Sequence, residues 1–271
     1  MATTLSTLQT EQQLLLKSAD AGLEREEANG QKRADKRVRA AVSANKHSSL
    51  WASACTLHHL TVAAASGYVL CLGPSSWPSF LLVAGWWIYS DFYSSLLHCV
   101  LDDPRCLKVP GVAPVAKGFQ DHHLYPMEST AGKGLRMLCD DTVRIQWVTG
   151  GFSLLFSSRR DHITLVMILL KWITCAYGTQ VGHYYAHATP ERVPAVVRTL
   201  QRWHVLLPPA HHWQHHKDPY ESNFGIVSGL SAKLFGFNFF LRDCYRFGWV
   251  ISLWAFLTFF DVALMERLNF R

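Results

Sequence analysis

The chain has 271 residues, which is enough for one sizeable domain or a small polytopic membrane protein. Hydrophobic residues make up 49% of it and charged residues only 17%, whereas about 25% of the residues of a soluble domain are charged. The net charge of +6 is compatible with a nucleic-acid partner, but the placement of the basic residues argues against one, because they concentrate shortly before the first apolar segment and form no stripe with interleaved aromatics. The seven cysteines contain no C-x-x-C spacing, which argues against a disulfide framework or a cysteine-based zinc site.

The first part of the chain predicts a polar tail followed by a helical hairpin. Residues 1–50 are polar and mixed in charge, and we interpret them as a poorly ordered cytoplasmic tail before a membrane domain of residues 51–271. Residues 51–72 are uncharged and residues 80–101 are interrupted only by Asp91, and each run is long enough to cross a hydrocarbon core of about 30 Å. The uncharged turn between them predicts that both outer ends of this hairpin lie on the cytosolic side.

Three later apolar segments complete the predicted bundle. Residues 143–157 form a short segment that either crosses the membrane or lies in its interface, whereas residues 163–182 are predicted to cross it. Residues 247–265 span, re-enter or pack against the other helices. We therefore predict an all-α, multi-pass membrane helical bundle of about four spans, in which His183 returns to the same side as His98.

Most of the fourteen histidines lie in four short groups near the ends of these segments. In the first and third groups the spacing is i,i+4, which places two side chains on one face of a helix, as two ligands of one ion require. A single such pair is weak evidence for a metal site, but the fourth group and the recurrence of the pattern favour one. In chain order the groups are His98 with Asp102; Asp121 with His122 and His123; His183 with His187; and His211, His212, His215 and His216.

The abundance of imidazole indicates oxygen chemistry at two iron ions. Neutral imidazole is a good iron ligand, and several of them can hold two irons without the negative charge that carboxylates bring. Removing hydrogen from an unactivated methylene needs a strong oxidant, which no side chain supplies and which two irons with O2 do supply. We therefore predict a histidine-rich di-iron site on the cytoplasmic side, where the apolar segments end, that acts on a lipid chain in the bilayer.

Two aspartates allow both a functional and a structural interpretation. Asp91 lies seven residues before His98 on the same helix face, so it either orients a ligand imidazole or makes a capping or interhelical hydrogen bond. Asp121, next to the histidine pair, has the same two interpretations. His58 and His59 lie inside the first apolar segment, and we expect them to be packing residues or residues of the far side.

Over roughly half of its length the chain resembles the Kua-type lipid desaturases. This family includes animal plasmanylethanolamine desaturase, the bacterial CarF proteins and the plant plastid desaturase that acts on phosphatidylglycerol palmitate. The matching motifs are the run from Asp91 to His98 with Asp102; Asp121-His122-His123 with Pro126; His183 with His187; and the run from Gln201 through His204 to Pro208 that leads to His211-His212-x-x-His215-His216.

The resemblance implies a multi-pass membrane desaturase that uses two iron ions, O2 and two electrons from a carrier such as cytochrome b5, or ferredoxin in a plastid. It implies that the histidines of the motifs, His204 included, are iron ligands, and that Asp102 is a ligand or a base next to one. Together with Asp91 and Asp121, Asp102 is thus a candidate catalytic carboxylate. The implied substrate is a phospholipid of the bilayer, and the implied location is the endoplasmic reticulum, with a plastid membrane as the alternative.

Two segments of the chain resemble different branches of the family, which act on different lipids. Residues 203–208 resemble plasmanylethanolamine desaturases, which form the vinyl ether of plasmalogens, whereas residues 219–229 resemble the plant plastid branch. Tyr220 stands where the animal enzymes tend to carry a histidine. We favour an enzyme of the plasmanylethanolamine type, with a phospholipid acyl desaturase or a lipid hydroxylase as alternatives, because histidine spacing separates these reactions poorly. A non-enzymatic zinc scaffold fits less well, since structural zinc sites favour four closed ligands with cysteine common.

Overall fold

The computed structural model describes residues 49–71, 80–157, 162–217, 220–235 and 247–267. These residues form helices and their connections and include no strand, so the predicted all-α class is confirmed for the part of the chain that is described. Contacts divide the chain into Met1–Lys46 and His47–Arg271, and the described residues all belong to the second unit. The predicted tail of residues 1–50 therefore lies almost entirely outside the described residues, as does the predicted turn at 73–78.

The described chain contains both long apolar helices and short polar ones. The α-helices are α1 (Ser49–Cys71), α2 (Phe80–Leu101), α3 (Ala113–Leu124), α4 (Pro126–Ser129), α5 (Leu135–Phe156), α6 (His162–Lys171), α7 (Thr179–His187), α8 (Ala195–Arg202), α9 (Pro209–His215), α10 (Leu230–Phe235) and α11 (Phe247–Arg267). Short 3-10 helices lie at Pro104–Lys108 and Pro190–Arg192, and a π-helical turn at Trp172–Gly178 joins α6 to α7 without a break.

The predicted apolar segments form long helices whose ends differ little from the expectation. Residues 51–72 and 80–101 correspond to α1 and α2, and residues 247–265 correspond to α11. The short segment predicted at 143–157 is the second part of the longer helix α5, which starts at Leu135. Hydropathy does not detect the first part of α5, because it responds to apolar residues and not to helix formation.

One continuous segment among the described helices, Ile163–His187, has the length and composition of a membrane span. It has 25 residues, and more than half of its most apolar window is buried inside the protein. The segment runs through α6, the π-helical turn and α7, so that His183 and His187 lie at its C-terminal end. The total number of spans, about four, stays a prediction.

Helix α2 takes part in two hydrophobic clusters. Its C-terminal half packs through Val100 against Phe224 and against Val250 of α11. Its N-terminal half packs through Trp86 against α6 and against the second half of α11. The last turn of α2, which carries His98, is therefore firmly placed. Helix α11 packs against α2 and α5, and a membrane span or re-entry of residues 247–265 stays a prediction.

A buried ion pair joins several of the long helices. Lys171, the last residue of α6, donates to the carboxylate of Asp261 in α11 at 2.7 Å, and each residue is only 2% exposed. The same ammonium donates to Ser153 Oγ of α5 and to the carbonyl of Thr258, each at 2.8 Å. The Tyr89 hydroxyl of α2 donates to the second carboxylate oxygen at 2.8 Å. All three ammonium protons and both oxygens thus have partners, as a buried ion pair requires.

Candidate metal centre

The candidate centre lies where α2, α3, α7 and α9 converge. Its histidine and aspartate side chains form two sets of four, and within each set the donor atoms all lie within 4.8 Å of one another. Consecutive residues of one motif, such as His122 and His123, belong to different sets. The first set, called the carboxylate group, consists of His98, Asp102, His123 and His215. The second set, called the all-histidine group, consists of His122, His187, His212 and His216.

Asp102 stands at the centre of the carboxylate group, just beyond the end of α2. Its Oδ1 lies 3.6 Å from His98 Nε2 and 3.5 Å from His123 Nε2. Its Oδ2 lies 3.4 Å from His215 Nε2. The Nε2 atoms of His123 and His215 face one another at 3.0 Å. The i,i+4 spacing at the end of α2 therefore brings both members of the first sequence group to one site.

The all-histidine group is formed by side chains of α3, α7 and the end of α9. His216 Nε2 lies 3.2 Å from His212 Nε2. The ring centroid of His187 lies 4.6 Å from that of His212 and 4.9 Å from that of His216. His122 completes the group, with its ring centroid 4.7 Å from that of His216. The two groups adjoin, because the ring centroids of His212 and His215 are 5.7 Å apart.

His183 lies beside both groups without belonging to either set of four. Its Nε2 is 2.9 Å from His122 Nε2. Its ring centroid is 4.9 Å from that of His212 and 6.4 Å from that of His98. This position suits a further ligand of the all-histidine group or a ligand that faces both groups.

The polar atoms of the two groups fit metal ions. Leaving a buried polar atom unpaired costs about 1–3 kcal/mol, so a cluster of such atoms needs a ligand between them. Two ring nitrogens bound to one ion at about 2.1 Å and a right angle lie about 3.0 Å apart, which is the separation of the His123 and His215 Nε2 atoms. Within the described chain, the buried donor atoms of the two groups without a hydrogen-bond partner are His98 Nε2, both Asp102 oxygens, both His187 ring nitrogens, His212 Nδ1 and His216 Nδ1.

Backbone carbonyls hold the far ring nitrogens of two histidines in the carboxylate group. His98 Nδ1 donates to the carbonyl of Phe224 at 2.9 Å, and His215 Nδ1 donates to the carbonyl of Ser222 at 2.8 Å. A proton on Nδ1 leaves Nε2 with its lone pair directed into the group. Metal-binding histidines are commonly oriented in this way.

Burial keeps four histidines of the two groups neutral. It lowers the pKa of His123 to about 4 and that of His216 to about 2, and neighbouring histidines add to the effect. Burial, again aided by neighbouring histidines, lowers the pKa of His122 and of His212 well below the usual range. These imidazoles are thus unprotonated at neutral pH, which is the form that binds metal ions.

Burial shifts the pKa of Asp102 in the opposite direction, because for a carboxyl group the neutral form that burial favours is the protonated one. It raises the pKa of this carboxyl group to about 6, although the neighbouring His215 partly offsets the shift. The protonated carboxyl therefore stabilises the metal-free fold below its ordinary pKa of 3.8, and this contribution is lost as the pH rises through about 6. A cation in the carboxylate group supplies the opposite charge that the ionised form lacks.

Besides His183, two of the predicted ligands lie outside both groups. His204 Nε2 is 2.8 Å from the ammonium of Lys233, and His204 Nδ1 is 3.3 Å from the carbonyl of Ser228. Both ring nitrogens of His204 therefore have protein partners. His211 lies against Gly229, where an added Cβ would stand 2.6 Å from the imidazole. The structure does not bring these two histidines to the donor atoms of either group.

Asp121 and Asp91, for which the sequence allows a functional and a structural interpretation, also lie outside the two groups. Asp121 pairs with Lys117 on the surface of α3, and its side chain is 43% exposed. Asp91 is fully buried, and its carboxylate accepts hydrogen bonds from Val227, Ser228, Gly229 and Ser231. Within the described chain, the side chain of Asp91 thus makes structural hydrogen bonds to another segment and no direct hydrogen bond to a histidine.

The hydrogen-bond partners of the far ring nitrogens could not be recognised in the sequence. Phe224 and Ser222 act through backbone carbonyls, which every residue has. His122 Nδ1 lies 3.1 Å from Ser129 Oγ and 3.0 Å from Thr130 Oγ1. The sequence indicated this contact only through the two consecutive hydroxyl residues, Ser129 and Thr130, that follow the histidine pair.

The two histidines of α1 are packing residues. His58 Nε2 lies 2.7 Å from Gln146 Oε1 of α5. His59 lies between the Tyr177 hydroxyl at 2.6 Å and the Asp140 carboxylate at 2.8 Å. These contacts tie α1 to α5 and to the π-helical turn, away from the two groups.

Comparison with known proteins assigns the central part of the chain to one family. The family model of the lipid desaturase domain matches residues 87–243, which include every residue of both groups. The chain is 28% identical over 162 residues, 59% of its length, to fatty acid desaturase 4, chloroplastic, of Arabidopsis thaliana. It is 27% identical over 150 residues, 52% of its length, to plasmanylethanolamine desaturase 1 of Mus musculus. It is also 27% identical over 160 residues, 54% of its length, to plasmanylethanolamine desaturase of Myxococcus xanthus.

The matched region covers only part of these relatives. It corresponds to 47% of the Arabidopsis protein, 54% of the mouse protein and 52% of the bacterial protein, so the chain spans about half the length of the curated relatives it matches. No solved structure matches the chain significantly. The family match and the relatives from a plant, an animal and a bacterium confirm the resemblance to Kua-type lipid desaturases.

Proposed function

This chain belongs to the lipid desaturase domain family, and from that premise we propose that it introduces a double bond into a hydrocarbon chain of a membrane phospholipid. The proposed reaction uses two iron ions, O2 and two electrons from a carrier protein. The observation that supports it is the pair of adjoining groups, in which buried donor atoms without hydrogen-bond partners converge from several helices.

Each group is proposed to hold one iron. When bound, the two irons supply with O2 the oxidant that removes hydrogen from an unactivated methylene. Asp102 makes the two positions unequal, because its carboxylate gives one of them a negative charge that four neutral imidazoles do not give the other. His183 lies beside both positions and completes the ligand set on the side of α7.

The residues of the site also protect the reaction from bulk water. His98, His187, His212 and His215 are all at most 1% exposed, so the donor atoms lie in a buried part of the protein. Exclusion of water prevents side reactions of a reactive intermediate. The overall stoichiometry balances, because the two hydrogen atoms taken from adjacent methylenes, two electrons from the carrier and two protons together reduce one O2 to two waters.

The lipid class is proposed from the relatives and from two segments of the chain. Residues 203–208 favour an ether lipid of the plasmanylethanolamine type, and a phospholipid acyl chain is the alternative that residues 219–229 favour. Tyr220 belongs to the second segment, and its ring stacks on His123 with centroids 4.7 Å apart. A residue on which the subfamilies differ thus contacts a proposed ligand, where it can influence the choice of substrate.

We propose an integral membrane location, with the endoplasmic reticulum favoured and a plastid membrane as the alternative. The candidate span Ile163–His187 supports this proposal, because it ends at two proposed ligands and so places the site at the end of an apolar helix. Cytochrome b5 is the proposed electron donor in the first location and ferredoxin in the second.

The proposal is tested by turnover of purified protein in nanodiscs that contain both an ether-linked and a diacyl phospholipid. With ferrous iron, O2 and a reductant, mass spectrometry is expected to show the loss of two hydrogens from one lipid class, which also identifies the substrate. His212→Ala is expected to be inactive, and Asp141→Asn, an exposed position on α5, is the matched control that keeps full activity. Iron-loaded, reduced protein that leaves every lipid saturated contradicts the proposal, and addition of one oxygen atom identifies a hydroxylase instead.

A further inference from the structure

The carboxylate of Asp91 anchors the loop of residues 222–231, which ends in the first turn of α10. Asp91 lies in the middle of α2 and is fully buried. Its Oδ1 accepts the backbone N–H groups of Val227, Ser228 and Gly229 at 3.1, 2.8 and 2.9 Å. Its Oδ2 accepts the N–H and the hydroxyl of Ser231 at 2.9 and 2.6 Å. Five charge-assisted hydrogen bonds thus satisfy this buried carboxylate and hold the loop on α2.

The same loop carries the two carbonyls that orient histidines of the carboxylate group. The carbonyl of Phe224 accepts from His98 Nδ1 at 2.9 Å, and the carbonyl of Ser222 accepts from His215 Nδ1 at 2.8 Å. Phe224 lies only three residues before the first backbone group that Asp91 binds. The position of the anchored residues therefore fixes the position of both carbonyls.

The loop is also confined by close contacts with α2 and α7. An added Cβ at Gly225 would stand 2.8 Å from Asp91 Oδ2, and an added Cβ at Gly182 of α7 would stand 2.5 Å from the carbonyl of Ile226. The N–H of Ile226 donates to Ser94 Oγ of α2 at 3.3 Å. The loop thus lies between two helices with glycine at both points of closest approach.

We propose that Asp91 is a positioning residue for the carboxylate group alone and that it acts through the loop of residues 222–231. The inference rests on the metal centre proposed above and adds that its two metal positions depend on different parts of the chain. Asp91 fixes the loop, and the carbonyls of the loop hold His98 and His215 with Nε2 directed at the ion. Among the described residues, the ring nitrogens of the all-histidine group form no hydrogen bond with this loop.

The test is the metal content of the purified full-length protein, loaded anaerobically with ferrous iron alone and dialysed against a weak chelator. The original chain is expected to retain two ions. Asp91→Asn is expected to retain one, because its amide nitrogen cannot accept the hydrogen bonds of the loop and affinity at the carboxylate group falls about ten- to a hundredfold. Gly225→Ala, which keeps the carboxylate but displaces the loop, is expected to lose the same ion. Asp141→Asn is the matched control and keeps both ions.

Double variants identify which ion is lost. His187→Ala removes a ligand of the all-histidine group, so its combination with Asp91→Asn is expected to retain no ion. His215→Ala removes a ligand of the carboxylate group, so its combination with Asp91→Asn is expected to retain one ion, as many as His215→Ala alone. Loss of both ions in Asp91→Asn alone, or in its combination with His215→Ala, indicates a general structural role and overturns the proposal, as do two firmly held ions in both Asp91→Asn and Gly225→Ala.

Failure of this inference differs from failure of the proposed function. Original protein that binds no iron under these conditions overturns both. Original protein that binds two ions, together with loop variants that also bind two, overturns only the positioning role of Asp91.

Discussion

Replacing His215 by alanine is expected to abolish lipid desaturation and to remove one of two bound ions while the protein keeps its fold. His215 is completely buried, and its Nε2 lies 3.0 Å from His123 Nε2 and 3.4 Å from Asp102 Oδ2. Without this imidazole the carboxylate group has two histidines and one carboxylate, so we expect turnover to fall by at least about a hundredfold. The measurements are iron per chain, turnover in nanodiscs and the far-ultraviolet circular dichroism spectrum.

The matched control for this variant is His211→Ala. His211 belongs to the same motif but lies outside both groups, and its α9 neighbours His212 and His215 belong to one group each. We expect His211→Ala to retain two ions. Two ions in His215→Ala, or one ion in His211→Ala, would show that the two groups do not define the metal positions.

Replacing Lys171 by methionine is expected to lower the free energy of unfolding by about 3–5 kcal/mol. The variant leaves the Asp261 carboxylate buried without its counter-ion, while the Tyr89 hydroxyl remains as a neutral partner. Thermal unfolding of the purified protein in detergent measures the effect, and we expect the Tm to fall by about 10 °C.

The double variant Lys171→Met with Asp261→Leu is the control for this prediction. It removes both charges and leaves apolar side chains of similar size, so it is expected to recover most of the lost stability. A Lys171→Met protein as stable as the original, or a double variant less stable than the single one, would show that the pair does not hold α11 against the other helices.

Local spacing predicted most of the residues that meet at the candidate centre, but it did not predict how these residues divide into two groups. The i,i+4 pair of His98 and Asp102 lies in one group, as its position on one helix face allows. His122 and His123 are adjacent in sequence, yet they belong to different groups, because adjacent residues on a helix point about 100° apart. Assignment of each residue to a group depends on how α3 lies against α7 and α9, which the sequence of α3 alone does not contain.

The remaining features depend on contacts between distant residues. The hydrogen bond from Val227 to Asp91 joins residues 136 positions apart, and the pair of Lys171 and Asp261 joins residues 90 positions apart. Resemblance to family motifs suggested a ligand role for His204, but Lys233, 29 positions later, contacts its Nε2. Contacts of this kind follow from the assembled helices, and they decide which of the predicted ligands reach the site.

The positions of bound iron test the central claim most directly. The account predicts two ions in a crystal of the iron-loaded protein, located by anomalous scattering at the iron absorption edge. One is expected among His98, Asp102, His123 and His215, and the other among His122, His187, His212 and His216. A single ion, or ions bound away from these donor atoms, would contradict the claim that two adjoining groups form the metal centre.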